Sequence, residues 1–374
     1  MSASAGEDRL RIVRKLRVER PDGRRLWYYA FDERVPDVLD LPQPECADDA
    51  LELRWNALLG EQVIISIGRQ DRTFLPPPEA CPLCPTPASA AETTEIPSVR
   101  YEIVAFENRF PSLRADARPP EDGAPPFARA AAAGSAEVLV YSPQHDATLA
   151  TLPPEQTRRL VRVWTDRYAE LDARREVAYV FIFENRGREI GVTLTHPHGQ
   201  MYALPFVPPR PAREYEQAAS YAAAHGGACL VCDLVAAEVA DGSRVVAEAG
   251  GFAAYVPFAA RLPYEVHLAP VAHRPSLIEF NDAERDALAD IVRTLQAKYD
   301  ALWGFPMPYT MSLHQRASDG IERAGDHLHV EFAPPYRSRD KLKYLAGIET
   351  GAGTFVNDVA PEAAAATLRE AGPR

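Results

Sequence analysis

The chain has 374 residues, 46% hydrophobic and 25% charged, the balance of a soluble globular protein long enough for two domains. Its net charge of −12 argues against a broad basic surface for nucleic acid. No apolar run approaches the roughly 18 residues that span a bilayer, and Met1 to Arg25 lacks a signal-peptide core. A cytoplasmic protein that handles small molecules is expected, with no membrane partner.

Residues 1–50 read as an N-terminal extension, partly irregular or β. Gly60 to Ser66 reads as a turn and then a strand, with Arg69 and Arg72 just beyond. Next comes Cys81-Pro82-Leu83-Cys84, the first of two Cys-x-x-Cys pairs. Cys229 and Cys232 form the other, and Cys46 is left over from the five cysteines. In a reducing compartment such pairs read as metal ligands or redox dithiols, not as disulfides. A redox pair opens a helix in a βαβ pattern; Cys81 instead follows Pro76-Pro77-Pro78, which suits a metal knuckle on a loop. Ala115 to Gly134, rich in proline and alanine, reads as a long loop. A strand over Glu137 to Tyr141 then leads to Ser142-Pro143-Gln144-His145. Leu160, Val163, Trp164, Arg167 and Leu171 follow at helical spacing.

The run Gly191 to Gln200 ends in His196-Pro197-His198-Gly199-Gln200. Proline fixes its own φ and pushes the preceding residue towards an extended conformation. Residues two apart in an extended run share a face, so His196, His198 and Gln200 are expected to point together. Such a run can put one histidine on a metal, the next against a substrate, and the amide beside the reacting group. The alternative is a surface loop that merely contains two histidines.

The second half repeats the first. Glu265 to Ala269 is strand-like and leads to His273, which lies 128 residues after His145. Leu288, Ile291, Val292, Leu295 and Tyr299 answer to the five helix positions above at the same offset. Asn281-x-x-Glu284 supplies a helix cap, and each half ends in a histidine pair, His196/His198 and His327/His329. Only nine histidines exist, and six fall at matched places, His145 with His273 and the two pairs with each other. The pattern predicts an α+β fold of two tandem domains, an internal duplication with an antiparallel sheet carrying helices. The divisions expected are 51–210 and 211–374, with a surface helix over Pro361 to Ala371. Structural zinc takes four cysteine or histidine ligands. The duplication therefore assigns one quartet to Cys81, Cys84, His145 and His196, and the other to Cys229, Cys232, His273 and His327.

With Phe183-Glu184-Asn185-Arg186-Gly187 upstream of the histidine motif, the chain resembles the galactose-1-phosphate uridylyltransferase family of the histidine-triad superfamily, from about Arg54 to Glu349. The resemblance implies two histidine-triad-like domains, a homodimer, and exchange of UMP between UDP-glucose and galactose 1-phosphate in two steps. It makes His198 the nucleophile that carries the uridylyl group and Gln200 the donor to the phosphoryl oxygens. It places Arg69, Arg72, Asn108, Asn185 and Thr193 on the nucleotide and its phosphates, and Lys343 and Glu349 on the hexose phosphate.

The sequence also departs from the family. Some members carry an iron-type site, and Glu214, His314 and His329 match three of its positions, with Glu331 where a fourth histidine is usual. Those members lack the second cysteine pair, so the second zinc quartet is expected instead. Glu331 also replaces the amide of Gln200 in the second copy, and a carboxylate repels phosphate, so that copy is expected to be catalytically silent. The glutamine the family carries after Glu349 falls at Phe355. Two other readings remain: a nucleoside-diphosphate-sugar phosphorylase using the same covalent histidine, and a zinc-stabilised nucleotide-binding protein without catalysis.

Overall fold

The computed structural model describes residues 9–34, 36–46, 51–72, 74–118, 120, 123–323 and 325–372. Parts of the expected N-terminal extension (1–8, 35 and 47–50) and of the expected long loop (119, 121 and 122) lie outside the described residues. The chain opens with β1 (Arg14–Glu19) and β2 (Arg25–Ala30), then β3 (Leu51–Asn56) and β4 (Glu61–Ser66). The first repeat holds β5 (Ile103–Glu107), β6 (Arg129–Ala131), β7 (Ser135–Val140), helix α1 (Pro154–Asp172), β8 (Tyr179–Arg186) and β9 (His198–Leu204). Helices α2 (Pro209–Ala224) and α3 (Leu230–Asp241) connect it to the second. There follow β10 (Val245–Ala249), β11 (Phe252–Tyr255), β12 (Val266–Pro270), α4 (Asp282–Trp303), β13 (Tyr309–His314) and β14 (His329–Ala333). The hairpin β15 (Tyr336–Ser338) and β16 (Lys341–Leu342), then α5 (Gly347–Ala352) and α6 (Pro361–Glu370), complete the described chain.

Eleven strands form one sheet in the order β1-β2-β5-β7-β9-β8-β13-β14-β12-β11-β10, antiparallel at every pairing. Reading outward from its centre gives β8-β9-β7-β5 on one side and β13-β14-β12-β11 on the other. The repeats are thus related by an approximate two-fold through the β8–β13 seam, where Glu184 lies opposite Met311. The expected division at residue 210 falls in the first turn of α2, and the strands of both halves share one sheet.

Alternation along the strands separates two faces. Leu139, Tyr141, Ile182, Met201, Tyr309 and Val330 belong to the core under α1 and α4, with Leu160, Trp164, Leu288 and Leu295 of the helices. Each such large side chain contributes about 1.5–3 kcal/mol by leaving water. The expected cap of α4 is present in both directions: Glu284 N–H donates to Asn281 Oδ1 and Asn281 N–H to Glu284 Oε2, each at 2.9 Å. Arg167, the charged residue in the first helix pattern, is fully buried and forks onto Glu137 at 3.0 and 2.6 Å.

Where α1 meets α4, Arg158 pairs with Asp290 at 2.6 Å and Arg162 with Asp286 at 2.5 Å. Arg158 and Asp286 are equivalent in the two repeats, as are Arg162 and Asp290, each pair 128 residues apart. Under a two-fold, position 158 faces the repeat of position 162, so repeating Arg158 and Arg162 unchanged would set arginine against arginine. The second copy carries Asp286 and Asp290 instead, so the charges are opposite.

The extension before residue 50 supplies β1 and β2 to the main sheet. One expectation is corrected. The proline- and alanine-rich loop contains β6, which pairs with β3, where Leu53 faces Ala130. The C-terminal helix is present over Pro361–Glu370, with Ala364, Ala365 and Leu368 buried. Among the described residues no helix is long and apolar enough to cross a membrane.

Candidate active site

The first cysteine knuckle lies on the sheet face opposite α1 and α4, where Cys81 and Leu83 pack with Val138 and Val140. Cys84 Sγ is 3.4 Å from His145 Nδ1 and 3.5 Å from His196 Nδ1, and Cys81 Sγ is 3.8 Å from His196 Nδ1. A tetrahedral zinc with ordinary Zn–S and Zn–N bonds sets sulfur and nitrogen about 3.6 Å apart. His196 Nε2 donates to Ser142 O at 2.7 Å, which fixes the tautomer that turns Nδ1 to the thiols. Burial lowers its pKa to about 4, so the ring is neutral, as a ligand must be.

The second quartet repeats this arrangement. Cys232 Sγ lies 3.3 Å from His327 Nδ1 and 3.6 Å from His273 Nδ1, and Cys229 Sγ is 3.6 Å from His327 Nδ1. His327 Nε2 donates to Pro270 O at 3.1 Å, and Pro270 is the repeat equivalent of Ser142. Within each quartet the donor atoms all lie within 4.8 Å of one another. Both expected ligand sets are therefore gathered, and both could hold a metal.

A third group is gathered as well: Glu214, His314 and His329. His314 Nδ1 is 2.8 Å from Glu214 Oε2, and His329 Nε2 is 3.9 Å from the same oxygen. The sequence set the iron-type residues against the second cysteine quartet as alternatives; the chain assembles both, from different side chains. Glu331, the fourth residue of that alternative, lies 3.6 Å from His314 Nε2 and 3.7 Å from His329 Nε2, and it also meets Arg210 at 2.6 Å and His267 at 3.3 Å.

His198 begins β9. Its Nδ1 donates to His196 O at 2.7 Å, so Nε2 keeps its lone pair. Burial lowers its pKa, keeping the imidazole neutral and nucleophilic. His198 lines two cavities. One is also lined by Arg72, Asn108, Thr193 and Gln200, with Pro82, Leu83, Phe106 and Val138 as apolar walls. The other, of about 470 Å³, is lined by Asn185, Arg188, Asp146 and Thr148. A larger cavity of about 760 Å³ beside α1 and α4 is lined by no histidine or cysteine.

Gln200 sits two residues on and shares the face of His198. Tyr202 O–H donates to Gln200 Oε1 at 3.3 Å, which leaves the amide N–H groups for a ligand. Arg69 is not in the wall of either cavity; it donates to Phe110 O at 3.1 Å and to Tyr202 Oη at 3.4 Å. Asn108 Oδ1 accepts from Phe110 N at 2.9 Å, a local turn, while the residue also lines the first cavity. Lys343 and Glu349 pair with each other at 2.9 Å and line neither cavity. The Lys343 bond and the Ala346 N–H hold the Glu349 carboxyl down at about 2. Phe355 lies beneath the Arg261 guanidinium, 5.0 Å from its ring centre.

Sequence reasoning missed Tyr202, although a side chain two residues past Gln200 on an extended strand shares its face. It also missed the cause of Gly199: a Cβ there would lie 2.2 Å from Tyr141 Oη.

Known proteins are similar to this chain in sequence and fold. The sequence model of galactose-1-phosphate uridyl transferase, N-terminal domain, matches residues 43–208, and that of the C-terminal domain matches 214–372. The galactose-1-phosphate uridylyltransferase of Thermotoga maritima is 40% identical over 331 residues, covering 86% of this chain and 98% of that protein. The enzyme of the same name from Streptomyces lividans is 37% identical over 368 residues, covering 96% and 98%. A solved uridylyltransferase structure superposes with a TM-score of 0.74 at 35% identity, covering 85% of this chain and 97% of that one. Matched along both repeats, the chain belongs to the galactose-1-phosphate uridyl transferase family.

Proposed function

We propose that the protein moves UMP from UDP-glucose to galactose 1-phosphate through a uridylyl group carried on His198. Nε2 attacks the α-phosphorus, and the bond to the bridging oxygen breaks with its electron pair leaving on glucose 1-phosphate. A phosphate oxygen of galactose 1-phosphate then attacks the same phosphorus, and the P–N bond returns its pair to the imidazole. The covalent stage divides one displacement into two easier ones. The reading rests above all on the His198 tautomer: Nδ1 is spent on the backbone, and Nε2 is free beside Gln200 and two cavities. The Gln200 N–H groups stabilise the equatorial oxygens without an ion pair. Arg72, Asn108 and Thr193 serve the nucleotide side, and Asn185 the phosphates, while Arg69 acts through Tyr202.

Zinc suits both Cys2His2 quartets, and a cytosolic location suits their reduced thiols. Bound there, the metal supplies a rigid tie, and the first quartet fixes the backbone two residues before the nucleophile. Glu214, His314 and His329, with nitrogen and oxygen donors only, suit an iron- or zinc-type cation. With Glu331 neutralised by Arg210, the second copy has no phosphoryl donor equivalent to Gln200.

A homodimer accounts for two apolar exposures. Leu58 and Leu59 at the β3–β4 turn are 96% and 71% exposed, and Tyr344 beside Lys343 is 75% exposed. In such a dimer Lys343 and Glu349 meet the hexose phosphate in the partner's site. The test of the reaction is to label the protein with UDP-glucose carrying radioactive uridine and then add acceptors. Release of labelled UDP-galactose by galactose 1-phosphate is expected. Release of UDP by inorganic phosphate alone would point to the phosphorylase, and no label at all to a binding protein.

A further inference from the structure

We propose that Tyr309, from the silent repeat, is a positioning residue for His198, acting through Glu184 and Tyr141. The inference rests on the transferase reading; Tyr141 and Glu184 line the larger His198 cavity, and Tyr309 lines neither.

Glu184 is a buried carboxylate on the helix side of β8, at the seam between the repeats. Its Oε2 accepts from Tyr141 O–H and its Oε1 from Tyr309 O–H, each at 2.9 Å. Gln296 of α4 donates to the Tyr309 oxygen, and Ala150 N–H donates to Gln296 Oε1 at 2.6 Å. Ala150 follows Thr148 and Leu149, which line the larger His198 cavity. The chain of bonds therefore leaves the first repeat, passes through α4 and β13 of the second, and returns to the first.

Tyr141 carries this network to the nucleophile. Its N–H donates to Pro197 O at 3.2 Å, just before His198. Its hydroxyl occupies the space a Cβ at residue 199 would need, just after His198. One residue thus brackets the catalytic residue, its backbone N–H before it and its hydroxyl after it, and the hydroxyl has a fixed place because Glu184 holds it. Tyr309 in turn fixes the Glu184 carboxylate. Two tyrosines, one from each repeat, satisfy both oxygens, so removing one leaves a buried carboxylate oxygen unpaired and free to turn. Displacement of about 1 Å at a reacting atom costs up to about a hundredfold in rate.

The experiment uses Tyr309→Phe, Tyr141→Phe and the double variant in the zinc-loaded protein. Phenylalanine keeps the Tyr309 ring against Tyr299 and Phe332, whose centres lie 6.1 and 5.4 Å away. Single-turnover labelling by saturating UDP-glucose is expected to slow about tenfold in each single variant, the loss of one hydrogen bond to a charged group. KM and zinc content should stay within about twofold, the split expected when only transition-state alignment is lost. The double variant should be little slower than either single one, because both act on the same carboxylate. The Gly199 amide and His198 ring NMR signals should shift in Tyr309→Phe. Labelling at the parental rate with unshifted signals overturns the proposal, as does a double loss equal to the product of the single losses. If the parent itself does not label, the transferase reading fails, and the NMR shifts alone decide the positioning claim.

Discussion

At the scale of single residues, the first copy differs from the second in what surrounds the second histidine of each pair. His198 and His329 both direct Nδ1 to the carbonyl two residues back, at 2.7 and 3.3 Å. Beside His198 stands an amide held by Tyr202; beside His329 stands a carboxylate held by Arg210. Replacing Gln200 with Ala should slow uridylyl labelling about 10²–10³-fold, the usual cost of one lost oxyanion donor, read in a single-turnover assay. Gln200→Glu should be at least as slow, since it recreates the second copy. Near-parental labelling in either variant would remove Gln200 from the chemistry. Gly199→Ala should cost about 1–3 kcal/mol of stability in a denaturant titration, because the methyl group meets the Tyr141 hydroxyl. The histidines and Gln200 were legible because their residue types and spacing carry chemistry. Tyr141 and Glu184 were not: a tyrosine and a glutamate in strands have no pattern of their own, and their meeting depends on tertiary packing.

At the scale of elements, the helices were legible because α1 and α4 lay their apolar residues on one face at helical spacing. Leu295→Ala should destabilise the fold by about 2–5 kcal/mol, since Leu295 is only 1% exposed in the core beneath α4; chemical denaturation reads this. The strand β6 was hidden because its pairing partner, β3, is some 75 residues away and its own sequence is short and alanine-rich. The metal knuckles allow a comparison between repeats. Cys232→Ser should remove one bound metal equivalent, measured by elemental analysis, while labelling persists. Cys81→Ser should remove one equivalent and also slow labelling about 10–100-fold, the usual range when support for a ligand or site is lost. The asymmetry follows from His196 lying two residues before His198, the proposed nucleophile.

At the scale of the whole molecule, the duplication was legible from the constant offset between repeats. That the halves form one sheet was not, because the β8–β13 seam joins residues more than 120 apart with no local signal. The crossed Arg158–Asp290 and Arg162–Asp286 pairs at the helix interface are invisible until both helices are placed. Exposed Leu58, Leu59 and Tyr344, with Lys343 and Glu349 outside the His198 cavities, lead to a claim about assembly. Co-expressed His198→Ala and Lys343→Ala chains, each inactive alone, should recover about a quarter of parental activity, because half of randomly paired symmetric dimers carry one intact site. No recovery would confine each site to one chain.

The central claim is that His198 carries the nucleotide, and mass spectrometry of the trapped protein tests it most directly. After incubation with UDP-glucose and no acceptor, peptides should carry one uridylyl group on His198, lost on adding galactose 1-phosphate and absent from His198→Ala. A uridylyl group on another residue, or an undiminished adduct in His198→Ala, would contradict the account.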